Sequence, residues 1–317
     1  MHAVILVMFL GISTTAFAMC CAGILTLVVA GWAAKTNVAR AHGVGKIVAL
    51  SNLCYAVPLA VFGALHLWGV DFVLPLVPQY MPGRLFWAYL VGVALVAAGL
   101  SIAAKIQVRW SGLLVGIMLF LFVAMLDIPG SLSNPGDRFG WTVLIRESSF
   151  AGGGWVFAGS AIRGKAGGRL ITVGRVLIAI AALFFGIEHF LHPGGCPGIP
   201  LEKLTPAWIP GRLLIGYLTG AILVVAGVFI LMAKRTRMAA TYLGAWLVLL
   251  VLFIYGPILI VSLADPSIGV EVEGINYFAD TLLFAGTILA LASAAQRTDQ
   301  IESYEKIDRI QHEGAVF

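Results

Sequence analysis

The sequence predicts an all-α integral membrane protein with nine transmembrane helices, arranged as one N-terminal helix and two parallel four-helix repeats. Three observations predict it. Of the 317 residues, 60% are hydrophobic and 11% charged, with a mean hydropathy of +0.99, far from the roughly 45–50% apolar, 25% charged composition of soluble domains. The apolar residues fall in runs near the ~20 that cross a bilayer. An eighteen-residue segment recurs 128 positions further along. This composition excludes a soluble enzyme and a nucleic-acid-binding protein despite the formal charge of +5. It also excludes a β-barrel, whose strands alternate apolar and polar residues.

The predicted spans are 3–34, 47–68, 85–104, 110–128, 141–162, 170–191, 213–233, 238–263 and 275–295. The first contains Ala16-Phe17-Ala18, similar to a signal-peptidase site, but no Lys or Arg precedes its apolar core, so an uncleaved helix is expected. Every second connection is basic: Lys35, Arg40 and Lys46; Lys105 and Arg109; Arg163, Lys165 and Arg169; Lys234, Arg235 and Arg237. The connections between these carry Asp71, then Asp127, Asp137 and Arg138, then Glu202 and Lys203, then Asp265, Glu271 and Glu273. The positive-inside rule therefore places the N-terminus outside and the polar tail in the cytoplasm. In the tail, Ile301, Tyr304, Ile307 and Ile310 recur every third residue, as in a surface-lying or docking helix. Cys20, Cys21, Cys54 and Cys196 form no CxxC pair, so inert thiols are expected.

Shifted by 128, Pro82-Gly83-Arg84-Leu85 falls on Pro210-Gly211-Arg212-Leu213, and eleven of the eighteen positions 82–99 are identical to 210–227. With small changes of offset, Phe62-Gly63 and His66 fall on Phe185-Gly186 and His189, Arg109 on Arg237, Pro129 on Pro257, and Phe157-Ala158-Gly159 on Phe284-Ala285-Gly286. The implied division is an N-terminal helix (1–34), repeat one (35–163), repeat two (164–296) and a cytoplasmic tail (297–317). An even number of spans per unit makes the repeats parallel, related by an axis along the membrane normal. Glycines such as Gly216, Gly220 and Gly152-Gly153-Gly154 are expected at close helix crossings.

Ionisable groups within spans are costly and mark functional candidates. Here they gather at the outer ends: His66, Arg84, Asp127, Arg146, Glu147, Glu188, His189, His192, Arg212 and Asp280. The candidate contacts for quinone or another substrate are His66, Arg84, Arg146, Glu147, Glu188, His189, Arg212 and Asp280, lining an outward-facing polar cavity in each repeat. A neutral imidazole can hydrogen-bond a quinone carbonyl. Haem is disfavoured, because two equivalent histidines give at most one axial pair. Arg84 and Arg212 open helices, where the dipole disfavours a cation, so a carboxylate partner such as Asp127, Glu188 or Asp280 is expected. Arg146 and Glu147 read as a local ion pair. No metal cluster, nucleophile constellation or phosphate loop is present at usable spacing. Glu188, His192, Cys196 and Asp280 have no counterparts in repeat one, which makes repeat two the richer half and the one expected to carry the site if only one is active.

Phe62-Gly63…His66 with Pro82-Gly83-Arg84, and Phe185-Gly186…His189 with Pro210-Gly211-Arg212, each followed by a Tyr-x-x-Gly helix and a basic turn, resemble the DoxX family of four-helix membrane proteins. The resemblance covers most of residues 46–296. It implies a helical bundle in a prokaryotic plasma membrane, associated with redox systems that include the DoxD-type subunit of thiosulfate:quinone oxidoreductase. The expectation is therefore a multi-pass subunit of a redox complex that contacts quinone at the outer face, with the bilayer and other subunits as partners. An anchor or scaffold subunit is the alternative, and a small-molecule transporter the third.

Overall fold

A computed structural model describes residues 11–314, and their side chains through residue 296. The first residues of the N-terminal span and the tail side chains Ile301, Tyr304, Ile307 and Ile310 lie outside the described residues. The long helices are α1 (Thr14–Arg40), α2 (Ser51–Trp68), α3 (Arg84–Ala103), α4 (Val108–Ser133), α5 (Arg138–Ala161), α6 (Lys165–Leu191), α7 (Arg212–Leu231), α8 (Thr236–Leu263) and α9 (Ile268–Gly314). Eight of these are long and apolar enough to cross a membrane. The exception is α5. Its 24 residues suffice in length, but Arg138, Arg146, Glu147 and five glycines lower its hydropathy. Among the described residues, the nine long helices match the nine segments expected from the sequence, and α5 is the least apolar of these segments because it packs on protein along its length.

The interior is formed by α2, α5 and α9. Helix α5 packs on α4, α6 and α9, while α2 packs on α1, α3 and α9. Each four-helix unit thus docks its first helix on the last helix of the other. The flanking helices present apolar side chains outward, including Ile24, Leu25, Val28 and Trp32 on α1 and Phe253 and Ile260 on α8. A packed interior inside an apolar perimeter suits a lipid bilayer. Lipid supplies no hydrophobic drive between helices, so close backbone approach carries the packing. The three successive glycines of α5 each face a different helix: Gly152 meets Gly174 of α6, Gly153 meets Thr287 of α9 and Tyr55 of α2, and Gly154 meets Gly112 of α4.

The backbone repeats its irregularities at the 128-residue interval. Gly83 and Gly211 precede α3 and α7 in the left-handed region, at φ 65° and 67°. The α3–α4 turn has positive φ at Lys105 and Gln107, and the α7–α8 turn at Ala233 and Arg235. Both close in a Schellman pattern, with Ile106 N–H donating to Ser101 O and Lys234 N–H to Phe229 O. Helices α4 and α8 each contain one π-helical stretch, Val123–Asp127 and Val251–Tyr255. Pro129 and Pro257 follow two residues later. A proline removes one N–H from the helical ladder, and a π-bulge is one way a helix absorbs such a break.

Candidate functional site

At the acidic end, the α6–α7 connection of repeat two folds into the bundle. Every residue from 195 to 201 is buried, although the stretch Gly-Cys-Pro-Gly-Ile-Pro has no regular structure. Non-helical backbone that is buried must find its hydrogen-bond partners in protein, and here it does. Tyr255 Oη at the end of the α8 π-bulge donates to Pro197 O at 2.6 Å, and Tyr277 Oη of α9 accepts from Lys203 N–H. Arg138, at the start of α5, donates to the Pro200 and Leu201 carbonyls and pairs with Glu188 at 3.1 Å. Thr205 closes the loop on Gly194 and Gly195. At the tip, Gly198 has φ 106°, and an added Cβ would sit 3.3 Å from Thr281. Its N–H donates to His189 Nε2 at 2.9 Å. Burial pushes the Cys196 thiol up to about 12, with nearby Lys203 opposing the shift.

His189 is therefore fully engaged: Nδ1 bonds the Phe185 carbonyl at 2.6 Å while Nε2 accepts from Gly198. This identifies the Nδ1–H neutral tautomer, with neither nitrogen left for a quinone or a haem iron. Glu188 is held by Arg138 and lies 3.9 Å from His192. Arg84 and Arg212 lack the carboxylate partners expected of them. Arg84 donates to the Val77 and Leu74 carbonyls, and Arg212 to the Thr205 carbonyl, so each ties its own connection to a helix start. Backbone oxygens supply the compensation because the preceding loop curls over the guanidinium.

A second cluster joins α4, α5 and α9. Arg146 pairs with Asp280 at 2.8 Å and with Glu147 at 3.2 Å, so the local pair with Glu147 is present and a longer-range partner is added. Asp127 lies within electrostatic reach of both Arg146 and Glu147. One cation thus faces three carboxylates. Asp127 Oδ2, Arg146 Nε and Glu147 Oε2 are buried without a protein partner. So are Thr142 Oγ1 and Asn276 Oδ1, one turn from Arg146 and Asp280 respectively. Buried polar atoms of this kind are rare and call for an explanation. His66, at the end of α2, bonds the Phe62 carbonyl through Nδ1 at 2.8 Å and is only partly buried, and among the described residues Nε2 has no hydrogen-bond partner.

The two ends of the duplication are used differently. Asp127 matches Tyr255 at the 128-residue offset, and Arg146 and Phe150 match Glu273 and Tyr277 at the offset of 127 that holds in α5 and α9. In repeat two all three positions hold the loop, since Lys203 also pairs with Glu273. In repeat one Asp127 and Arg146 belong to the charge cluster, and the α2–α3 connection stays largely exposed, Leu76 and Tyr80 included. Of the richer inventory of repeat two, Glu188, His192 and Cys196 thus lie at its own loop, while Asp280 joins the charge cluster through Arg146. Sequence reasoning missed Tyr255, Tyr277 and Gly198. The offset from Asp127 to Tyr255 was the available signal for the first. Two clefts lie at the opposite, basic end, one lined by Lys105, Gln107 and Arg109 and the other by Arg235 and Arg237.

Among the described residues, no three His, Cys, Asp or Glu side chains are grouped to hold a metal ion. Comparison with protein-family models, with curated proteins and with solved structures gives no match.

Proposed function

We propose that the chain is a nine-span subunit of a redox complex in a prokaryotic plasma membrane, similar to the DoxX family, and that it contacts quinone at the outer end of repeat one. In this reading the basic turns and the tail are cytoplasmic. The carrying observation is the Arg146–Glu147–Asp280 cluster with Asp127, whose buried polar atoms keep unused hydrogen-bonding capacity at the position that repeat two closes with its own loop. Reduction of a quinone takes two electrons and two protons. The chain has no redox-cofactor motif, so a partner subunit supplies the electrons. Arg146 offers a donor to a carbonyl oxygen, Asp127 and Glu147 are placed to pass protons, and His66 Nε2 can hydrogen-bond the head group.

Gentle-detergent purification from native membranes, with extraction of bound quinone and mass spectrometry of co-purifying proteins, tests the reading. Asp127→Asn and Glu147→Gln are expected to lose bound quinone, and His189→Gln to keep it. A stoichiometric complex without quinone would overturn the reading in favour of a scaffold subunit. That second reading is favoured by the closed outer end of repeat two, where polar groups pair with one another as a filled bundle requires.

A further inference from the structure

From the two clefts at the basic end we infer that each holds the phosphate headgroup of an anionic phospholipid. Each is lined by the basic turn at the matching place in its repeat. Gln107 and Arg109 of the α3–α4 turn line the first, and Arg235 and Arg237 of the α7–α8 turn line the second, each residue 128 positions from its counterpart. Their volumes, about 410 and 560 Å³, fall in the roughly 300–1,000 Å³ range of small-molecule sites. Among the described residues no carboxylate lines either one.

The first cleft is the better furnished. Lys105 Nζ donates to Ala33 O of α1, which fixes the cation at the rim. The Arg109 guanidinium lies 5.1 Å from the Trp110 ring centre, held against a side chain that suits a membrane interface. Asn37, Ser51, Asn52 and Gln107 add polar groups. Helices α2 and α4 both begin at this cleft without a side-chain cap, which adds the positive ends of two helix dipoles beside the cations. A free phosphate would need only these donors. Exposed apolar side chains stand beside them, Ile106 and Trp110 at the first cleft and Met238 and Tyr242 at the second. Cations and donors for a phosphodiester next to an apolar flank for acyl chains match a phospholipid. Basic pockets between spans are known devices for holding anionic headgroups.

The test is native mass spectrometry of the full chain titrated with phosphatidylglycerol, phosphatidylcholine or inorganic phosphate. Two tightly held phosphatidylglycerol molecules are expected for the wild type. In Lys105→Gln/Arg109→Gln one of them should bind on the order of 25-fold more weakly, about fivefold per cation removed. Lys105→Arg/Arg109→Lys should keep both, which separates loss of charge from misfolding, and gel filtration checks the fold. Arg163→Gln/Arg169→Gln removes the same charge from the same end outside the clefts and should leave both lipids bound. Equal retention of phosphatidylcholine, displacement by millimolar phosphate, or equal weakening in the Arg163/Arg169 variant would overturn the proposal.

Discussion

Replacing His189 by Ala tests whether the imidazole holds the loop of repeat two. The substitution removes the acceptor for Gly198 N–H and the bond to the Phe185 carbonyl. A buried N–H left without a partner costs about 1–3 kcal/mol, and a lost hydrogen bond about 1 kcal/mol more. Opening of the loop should therefore become easier by about 2–4 kcal/mol. Cys196, 1% exposed, reports on it directly. With its thiol pushed up to about 12, almost no thiolate exists in the closed loop at pH 8, and the thiolate is the reactive form. Alkylation then proceeds through the open state and follows its population. At 1.4 kcal/mol per tenfold, labelling of the Cys196 peptide, read by mass spectrometry, should accelerate at least ~30-fold. His189→Gln, which keeps an acceptor oxygen, should recover most of the protection. An Ala variant that labels at the wild-type rate would show that the loop is held without the histidine, and the structural role assigned to it would fall.

Three further outcomes are expected. Arg146→Gln leaves Asp280 and Glu147 without their cation and should destabilise by about 3–5 kcal/mol, while Asp280→Asn in the same chain should recover part of the loss. Strict additivity in thermal unfolding would show that the 2.8 Å pair is energetically idle. Gly286→Ala places a methyl 2.5 Å from the Cys54 carbonyl carbon and 2.7 Å from Tyr55 Cα, so α2 and α9 must part. A cost of at least about 1–3 kcal/mol is expected. Gly168→Ala, with nothing within 4 Å, should be neutral or stabilising by the same melting assay. Finally, the raised Cys196 thiol means that the folded loop binds a proton the open loop releases above its ordinary value of 9.0. Loop stability is therefore fully present below pH 9 and falls as pH rises from 9 towards 12. Cys196→Ser should flatten that dependence, measured by proteolysis within the loop.

The helical runs were legible because a bilayer demands long apolar segments, and the turns because Gly83, Gly211 and the matched prolines stand at fixed offsets. The burial of the 195–201 loop was not legible. Its Gly-Cys-Pro-Gly-Ile-Pro stretch has the composition of an exposed connection, and the groups that make burial tolerable, His189, Tyr255, Tyr277 and Arg138, come from four different helices. Local pattern carries no record of such a meeting. The same holds for the charges. Arg146 and Glu147 are neighbours in the chain and readily read as a pair, whereas Asp280 reaches Arg146 from 134 residues away only because α5 and α9 are both first-rank interior helices. Arg84 and Arg212 were assigned carboxylate partners because a sequence displays charges and hides carbonyls.

Duplication lets a single structural position take two roles, and the matched triplets show the consequence. Tyr255, Glu273 and Tyr277 hold a loop; Asp127, Arg146 and Phe150 stand at the same positions without one to hold. A loop inserted into repeat one in the same way would have to bury its backbone against Asp127 and Arg146, whose charges already engage Glu147 and Asp280. The two arrangements exclude each other, so divergence of these residues is sufficient to close one end and leave charge in the other. Helix α1 fits this division. The N–H of its N-cap, Ser13, donates to both oxygens of Glu271 at 3.1 Å, and Thr15 Oγ1 donates to Trp68 O at the end of α2. It thus bridges the start of the last helix of repeat two to the first helix of repeat one. Fixing those two helices at the acidic end restrains the α2–α9 seam next to the cluster, an arrangement that the closed end, tied by its own loop, does without.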